Sequence, residues 1–530
     1  MSLSAYSQLL AVFTKLHHFH HLAAIASWDQ SAMMPLKGNE ARSQALAEVG
    51  VLTHQIITDA ALASLLDAAE QAPLSDMERA SVREMRRQWA LSNLLPSQLV
   101  EAQSLAGSRC EHAWRSQRPA NDWSALLPNL RRVIDLARQE ATLLSDHFGT
   151  SRYEALMNKH EPGMRCDELD RIFADVKSWL PGLVQQVMDK QADETVLQPA
   201  GPFAIESQRA LGLDVMKLLG FDFDAGRLDL STHPFCAGVP EDVRITTRYR
   251  EDNFLPSLMG IIHETGHARY EQRLPRELVH LPIGRARTMG VHESQSLSFE
   301  MQLGRGPAFL SLIAPLVRQH LGEQAALQAD NLARLCTRVR PGLIRVDADE
   351  LSYPAHVILR YEIERALIEG DIEVEDIPAL WAEKMRTNLG VDTCGNYQDG
   401  CMQDIHWPMG LIGYFPSYTL GAMYAAQYFA TIRQQTPDLD QRIGAGDLSP
   451  VMNWLEANIW SQASRWEISE LMTRATGQTL QVSHYRRHLE QRYPGPEMTR
   501  KQSGERGRAP WATPPARLWR RALAACAHCG

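Results

Sequence analysis

Apolar residues along this chain recur mostly at the spacing that lines one face of an α-helix. Residues 77–94 show it, with Val82, Met85, Trp89 and Leu91 set among charged positions, and residues 126–144 form a second such stretch. Proline and glycine punctuate these stretches more than they interrupt them, which predicts a mainly α-helical protein. Strand-like alternation is scarce. Its clearest case runs from Asp242 to Tyr249, where Val243, Ile245, Thr247 and Tyr249 alternate with Asp242, Arg244, Thr246 and Arg248. The alternation predicts a strand with one polar face, either a solvated edge strand or one that docks an extended peptide by strand addition. Residues 191–203 read as a loop between a helical first region and the region that holds the chemistry. After Tyr493 the chain turns rich in Pro, Gly and Arg, so 494–530 predict a disordered basic tail ending in a short basic helix.

Just beyond the strand, Leu258, Ile261, Ile262 and Ala268 supply the apolar positions of another helix, and its polar face carries His263-Glu264-Thr265-Gly266-His267. This is a complete HExxH. Positions i and i+4 share one helical face, so both imidazoles can grip one metal ion. Glu264 sits beside that face, where its carboxylate can act on a metal-bound water as general base without being a ligand. Gly266 weakens the helix by about 1 kcal/mol relative to Ala, which fits a place kept for close packing or metal clearance.

The third ligand has two candidates. The zincin pattern with a Gly and a His three and six residues after the second His is excluded, because Tyr270 and Arg273 stand there. The other large class takes a Glu from a separate helix. Glu293 in His292-Glu293-Ser294-Gln295 is far enough along for a turn and a return helix, with Pro275, Pro282 and Gly284 marking the connection. Glu271 is the rival, but one turn beyond His267 on the same helix it suits a supporting contact better.

A chain of 530 residues can form one large domain or two lobes around a cleft. Its 44% hydrophobic and 22% charged residues are those of a soluble globular protein. The net charge of −9 gives no basic footprint for nucleic acid. No apolar run reaches the about 18 residues of a membrane span, and no secretory leader is recognisable, so the expected location is the cytoplasm without membrane contact. The eight Cys are scattered like reduced thiols; Cys526, His528 and Cys529 resemble half a zinc site without its partner half. His17, His18, His20 and His21 do not share one helix face and predict a partly exposed helix segment. Cys236 near His233 raises a Cys/His nucleophile pair, although loop thiols are usually inert. No G-x-S-x-G occurs.

Other polar and aromatic segments stand out: His233-Pro234-Phe235, Ile344–Glu350 with its lone Arg345, Gly400–Trp407 and Gly413–Tyr418. A metallopeptidase needs a Tyr or His to stabilise an oxyanion, and one that acts at a C-terminus needs a cation for the free carboxylate. With these segments the chain resembles the carboxypeptidase Taq family of thermostable metallocarboxypeptidases. The motifs are HPF (233–235), DxRxT (242–246), HExxH (263–267), HESQ (292–295), IRxxAD (344–349) and GxxQDxHW (400–407). Trp28-Asp29, Met34-Pro35, 160–164 and 413–420 are also similar, and the similarity runs from about residue 5 to Tyr493.

The resemblance implies a helical zincin similar in fold to neurolysin-type oligopeptidases, with a deep groove, a small sheet near the metal and usually a homodimer. It also implies broad removal of C-terminal residues from peptides. On this reading residues 1–493 form the catalytic domain, two lobes around the groove. His263, His267 and Glu293 hold one divalent metal, zinc first, with cobalt and manganese as alternatives. Glu264 is the general base. His406 and Tyr418, with Tyr414 as runner-up, stabilise the oxyanion. Arg345 and Arg244 hold the substrate's carboxylate, with Asp242 in the same binding region. An endo-oligopeptidase of the same fold is the nearest alternative; a non-enzymatic scaffold with a structural metal is another, but it would have no need of Glu264.

Overall fold

The computed structural model of the chain describes residues 4–493; the predicted tail and the Cys526–Cys529 half-site lie outside them. Two compact units emerge, each assembled from three separate stretches. Of the described residues, the first takes 4–93, Val196–Cys336 and Gly421–Gln481; the second takes Leu94–Thr195, Thr337–Leu420 and 482–493. The junction between Thr195 and Val196 falls in the predicted loop, since one helix ends at Ala192 and the next begins at Ile205.

Helices dominate both units. In the first, the stretch expected at 77–94 is the helix Asp76–Asn93. Ser75 and Glu78 start it with a reciprocal cap: the Ser75 amide donates to Glu78 Oε2 at 2.8 Å and the Glu78 amide donates to Ser75 Oγ at 3.3 Å. Val82 and Met85 on its inner face join Leu9, Phe13 and Leu16 of the helix Ala5–Ala32, and Leu62 and Leu66. Leu281 and Ile283, from the irregular connection after the HExxH helix, pack into the same core. Each such side chain stabilises by about 1.5–3 kcal/mol when fully buried. In the second unit, the stretch expected at 126–144 lies inside the helix Trp123–Phe148, where Asp122 caps the first turn by accepting from the Ala125 amide at 3.0 Å. Among the described residues no single helix is long and apolar enough to cross a membrane.

The one sheet among the described residues belongs to the first unit. It holds β1 (Gly226–Leu230), β2 (Cys236–Val239) and β3 (Asp242–Thr247) in the order β1-β3-β2. β3 runs parallel to β1 and antiparallel to β2. This corrects both readings of the 242–249 strand. It is the central strand, with both edges hydrogen-bonded, so it is neither a solvated edge nor open to strand addition. The alternation also fails beyond Ile245, because Thr246 is buried as fully as Thr247. Its hydroxyl sits 2.7 Å from Ser231 Oγ and accepts from the Phe235 amide at 3.1 Å, which removes the cost of burying it. Val243 and Ile245 are wholly buried and pack with Leu228 against Ile261 and Ala268 of the HExxH helix. The sheet is the floor on which that helix rests.

Candidate active site

HExxH lies in the middle of the helix Leu255–Gln272, whose buried Leu258, Ile261 and Ile262 fix its rotation. HESQ lies within the short helix Met289–Leu297, capped by Thr288, whose hydroxyl accepts from the Val291 amide at 2.9 Å. The two helices touch through Gly266. A Cβ there would lie 2.5 Å from the Gln295 carbonyl oxygen and 2.7 Å from Ser296 Cα, both backbone atoms that cannot swing away. The close packing expected of this glycine is what brings Glu293 in. From the far side, Gly421 gives Glu293 room: a Cβ there would meet Glu293 Cβ and Cγ at 2.8 Å.

One side-chain atom from each of His263, His267 and Glu293 lies within 4.8 Å of the others. His267 Nε2 is 3.5 Å from Glu293 Oε2, and His263 Nε2 is 4.0 Å from Glu293 Oε1. The opposite ring nitrogens face acceptors: His263 Nδ1 is 2.9 Å from Glu300 Oε2, and His267 Nδ1 is 3.1 Å from the His292 carbonyl oxygen. Each Nδ1 therefore carries a proton, and each Nε2 turns a lone pair towards Glu293 when its ring is neutral. Glu271 stands outside this trio. Its carboxylate is 2.8 Å from His292 Nε2, and the His292 ring stacks on His267 at 4.5 Å.

The charges ask for a cation. Burial opposes charge on His263, but the Glu293, Glu300 and Glu264 carboxylates outweigh it and push this imidazole up to about 10. Burial, with His292 and His263 nearby, pushes His267 down to about 4. Burial also works against the Glu293 carboxylate, yet the three surrounding His hold it down at about 2. Two imidazoles and a carboxylate are the donors that zinc-type ions prefer, so the residues fit a divalent metal. Glu264 Oε2 is buried and has no hydrogen-bond partner, which is costly unless water or substrate meets it there. Burial pushes its carboxyl up to about 7.

Elsewhere in the first unit, Arg244 and Asp242 grip each other by two hydrogen bonds of 2.8 and 2.9 Å, and the guanidinium lies 4.3 Å from the Trp28 ring. A hollow of about 480 Å³ opens beside them, lined by His21, Trp28, Asp29, Arg42 and Arg244 among others. Of the histidine run, His17 is buried and His18 exposed, as expected of a helix seen from several sides. Burial, then the Glu271 and Glu264 carboxylates, push the Cys236 thiol well above the usual range, which disfavours the thiolate that a nucleophile needs.

The second unit gathers Arg345, His406, Tyr414 and Tyr418. Asp404 joins Arg345 (2.8 Å) to Arg360 (2.6 Å), and Arg345 also donates to Tyr353 Oη at 2.8 Å. Two guanidiniums share one carboxylate, which leaves one net positive charge. The Arg345 guanidinium lies 4.9 Å from the Tyr418 ring. His406 Nε2 is 3.1 Å from Tyr418 Oη, and the Tyr414 ring is 5.8 Å from His406 and 5.3 Å from Tyr418. Burial, helped by Arg345 and Arg360 against the pull of Asp404, pushes His406 down to about 4, so it is neutral at pH 7.

The family's sequence profile, described as carboxypeptidase Taq (M32) metallopeptidase, matches residues 8–493. The chain belongs to this family. It is 38% identical over 505 residues to thermostable carboxypeptidase 1 of Thermus thermophilus, covering 92% of this chain and 98% of that one. Among solved structures, metallocarboxypeptidase 1 of Trypanosoma cruzi superposes with a TM-score of 0.91 at 47% identity, covering 92% of this chain and 99% of the other. The M32 carboxypeptidase of Deinococcus radiodurans R1 gives 0.88 at 34% identity, over 92% and 98%. This M32 chain is thus a metal-dependent carboxypeptidase, a hydrolase of peptides. Sequence reasoning did not single out Glu300, Arg360 or Tyr353. Glu300 had one faint signal, its place two turns beyond Glu293; the other two lie in a helix that reads as ordinary core.

Proposed function

We propose that this M32 enzyme removes residues from the free C-termini of peptides with broad side-chain tolerance. It holds one divalent ion, zinc before cobalt or manganese, on His263 Nε2, His267 Nε2 and the Glu293 carboxylate. The observation that carries this is the convergence of those three donors beside the unpartnered Glu264 Oε2. Tolerance of many side chains is supported by the family likeness. The match to residues 8–493 supports reading 1–493 as the catalytic part.

The ion, when bound, supplies Lewis acidity to the scissile carbonyl and acidifies water. Glu264 Oε2 accepts the proton of the attacking water and returns it to the leaving amine nitrogen. Burial favours that cycle, because a carboxyl near neutrality gives its proton back readily. Glu300 and the His292 carbonyl hold the two ligand rings in their tautomers. Tyr418, with His406 behind it, donates to the oxyanion; Tyr414 is the alternative donor. Arg345 takes the terminal carboxylate, aided by the net positive charge it shares with Arg360 and Asp404. Arg244, with Asp242 holding it, is a second anchor.

The test is a mixed peptide library presented with free and with amidated C-termini and read by mass spectrometry. Stepwise loss from the free end is expected. Amidation should cut kcat/KM by about tenfold to a few hundredfold, the loss of one charge-assisted bond. Internal cleavage, or equal rates on amidated peptides, establishes the oligopeptidase reading instead.

A further inference from the structure

The helix Tyr353–Glu369 carries a carboxylate that none of the steps above uses. Glu364 is wholly buried and accepts three hydrogen bonds, one from Tyr153 and two from the stretch 406–414. Its Oε1 accepts from the Trp407 indole at 2.8 Å. Its Oε2 accepts from the Tyr153 hydroxyl at 2.9 Å and from the Gly413 amide at 3.1 Å. Trp407 directly follows His406, and Gly413 directly precedes Tyr414. One turn earlier on the same helix, Arg360 holds Asp404, two residues before His406. Residues 406–414 thus form a loop tied at both ends to one side chain, and its start is tied again through Asp404.

A carboxylate is the group that can do this. Trp407 and Gly413 offer only N–H donors, so both oxygens must accept at once. Burial pushes this carboxyl up to about 7, while the Trp407, Tyr153 and Gly413 donors pull it down. An amide cannot replace it, because its NH2 would confront either the indole or the backbone N–H.

We propose that Glu364 is a positioning residue for hydrolysis: it fixes both ends of the 406–414 loop and so holds His406 and Tyr418 where the oxyanion forms. This rests on the roles given above to those two residues. A support for the geometry of the transition state acts on kcat and leaves substrate capture by the arginines alone. None of the partners of Glu364 is a proposed metal ligand, so metal content should be unaffected.

The experiment compares Glu364→Gln, Tyr418→Phe, Trp407→Phe and the two doubles that pair Glu364→Gln with each of the others. For each, kcat, KM and bound metal are measured on the metal-loaded full chain. Glu364→Gln should lower kcat by about tenfold to a hundredfold, below the loss typical of deleting an oxyanion donor outright, with KM within about twofold. Adding Glu364→Gln to Tyr418→Phe should cost little more, because both act through one group. Adding Trp407→Phe to Glu364→Gln should restore part of kcat, since the amide NH2 then meets no opposing donor. A normal kcat for Glu364→Gln beside a slow Tyr418→Phe overturns the positioning role alone. A normal kcat for Tyr418→Phe overturns that role and the oxyanion assignment together. Additive losses in the Tyr418 double overturn the coupling on which the proposal stands. If Glu364→Gln does not fold, Trp407→Phe, which keeps the charge and two donors, takes its place: a kcat loss at constant KM is expected, and an unchanged kcat overturns the proposal.

Discussion

Two carboxylates in this protein are set to opposite tasks by their partners. Glu264 Oε2 has none, and Asp404 has two guanidiniums. Replacing Glu264 by Gln keeps the shape and removes the proposed base. Metal content should stay at the wild-type level while kcat falls by about 10²–10⁴-fold; metal loss in step with rate would make Glu264 a ligand. Asp404→Asn instead strands Arg345 and Arg360 in a buried site, which should cost about 3–5 kcal/mol in urea unfolding at pH 7. The sign with pH follows from its carboxyl. Burial pushes that carboxyl up, but Arg345 and Arg360 outweigh burial and hold it well below the usual range. Its contribution is therefore full above about pH 4, the ordinary aspartate value, and fades as the pH falls below it. The stability gap between wild type and Asp404→Asn should shrink from pH 5 towards pH 3; a constant gap shows that another group sets the acid limit.

Helices and the HExxH site announce themselves in the sequence because their signals are local. A cap such as Ser75 with Glu78, or an i, i+4 pair of His, is complete within one turn. The strand 242–247 is also legible, but its central place is not, since that depends on β1 and β2 finding it. For the same reason the partners of Arg345 stay hidden: Asp404 lies 59 residues away, and nothing beside it marks the contact. Gly266 is the instructive intermediate case. The sequence shows a helix-weakening residue between the two His, and only the approach of the Gln295 carbonyl explains it. Gly266→Ala should push the two helices apart, destabilise by about 1–3 kcal/mol and weaken metal binding about tenfold or more. Gly260 is the control within the same helix, because a Cβ there meets nothing within 4 Å. Gly260→Ala should stabilise by about 0.5–1 kcal/mol. Equal effects at the two positions, measured by thermal unfolding and metal titration, would mean that contact with the HESQ helix is unimportant.

For the molecule as a whole, the proposed metal site would fasten the fold as well as serve the chemistry. His263 and His267 come from one helix and Glu293 from another, so an ion bound to this proposed set would favour the folded state over the unfolded chain. Free ion at about 100 times its Kd should add about 2.7 kcal/mol, and chelation should lower Tm accordingly. A Tm indifferent to chelator, with the ion shown to leave, would place the ion outside the fold's energetics. The interleaving of the two units has a further consequence, which concerns synthesis. All residues of the metal cluster have been made once Glu300 is joined, yet the first unit includes a stretch that ends at Gln481. At about 5–20 residues per second the ribosome needs roughly 10–40 s to supply it. Throughout that interval the nascent first unit exposes apolar surface with its histidines and carboxylates already made. Fragments ending before residue 421 should therefore associate with chaperones or aggregate, and a stop codon between the codons for Glu300 and Gly421 should leave no soluble remnant of the first unit.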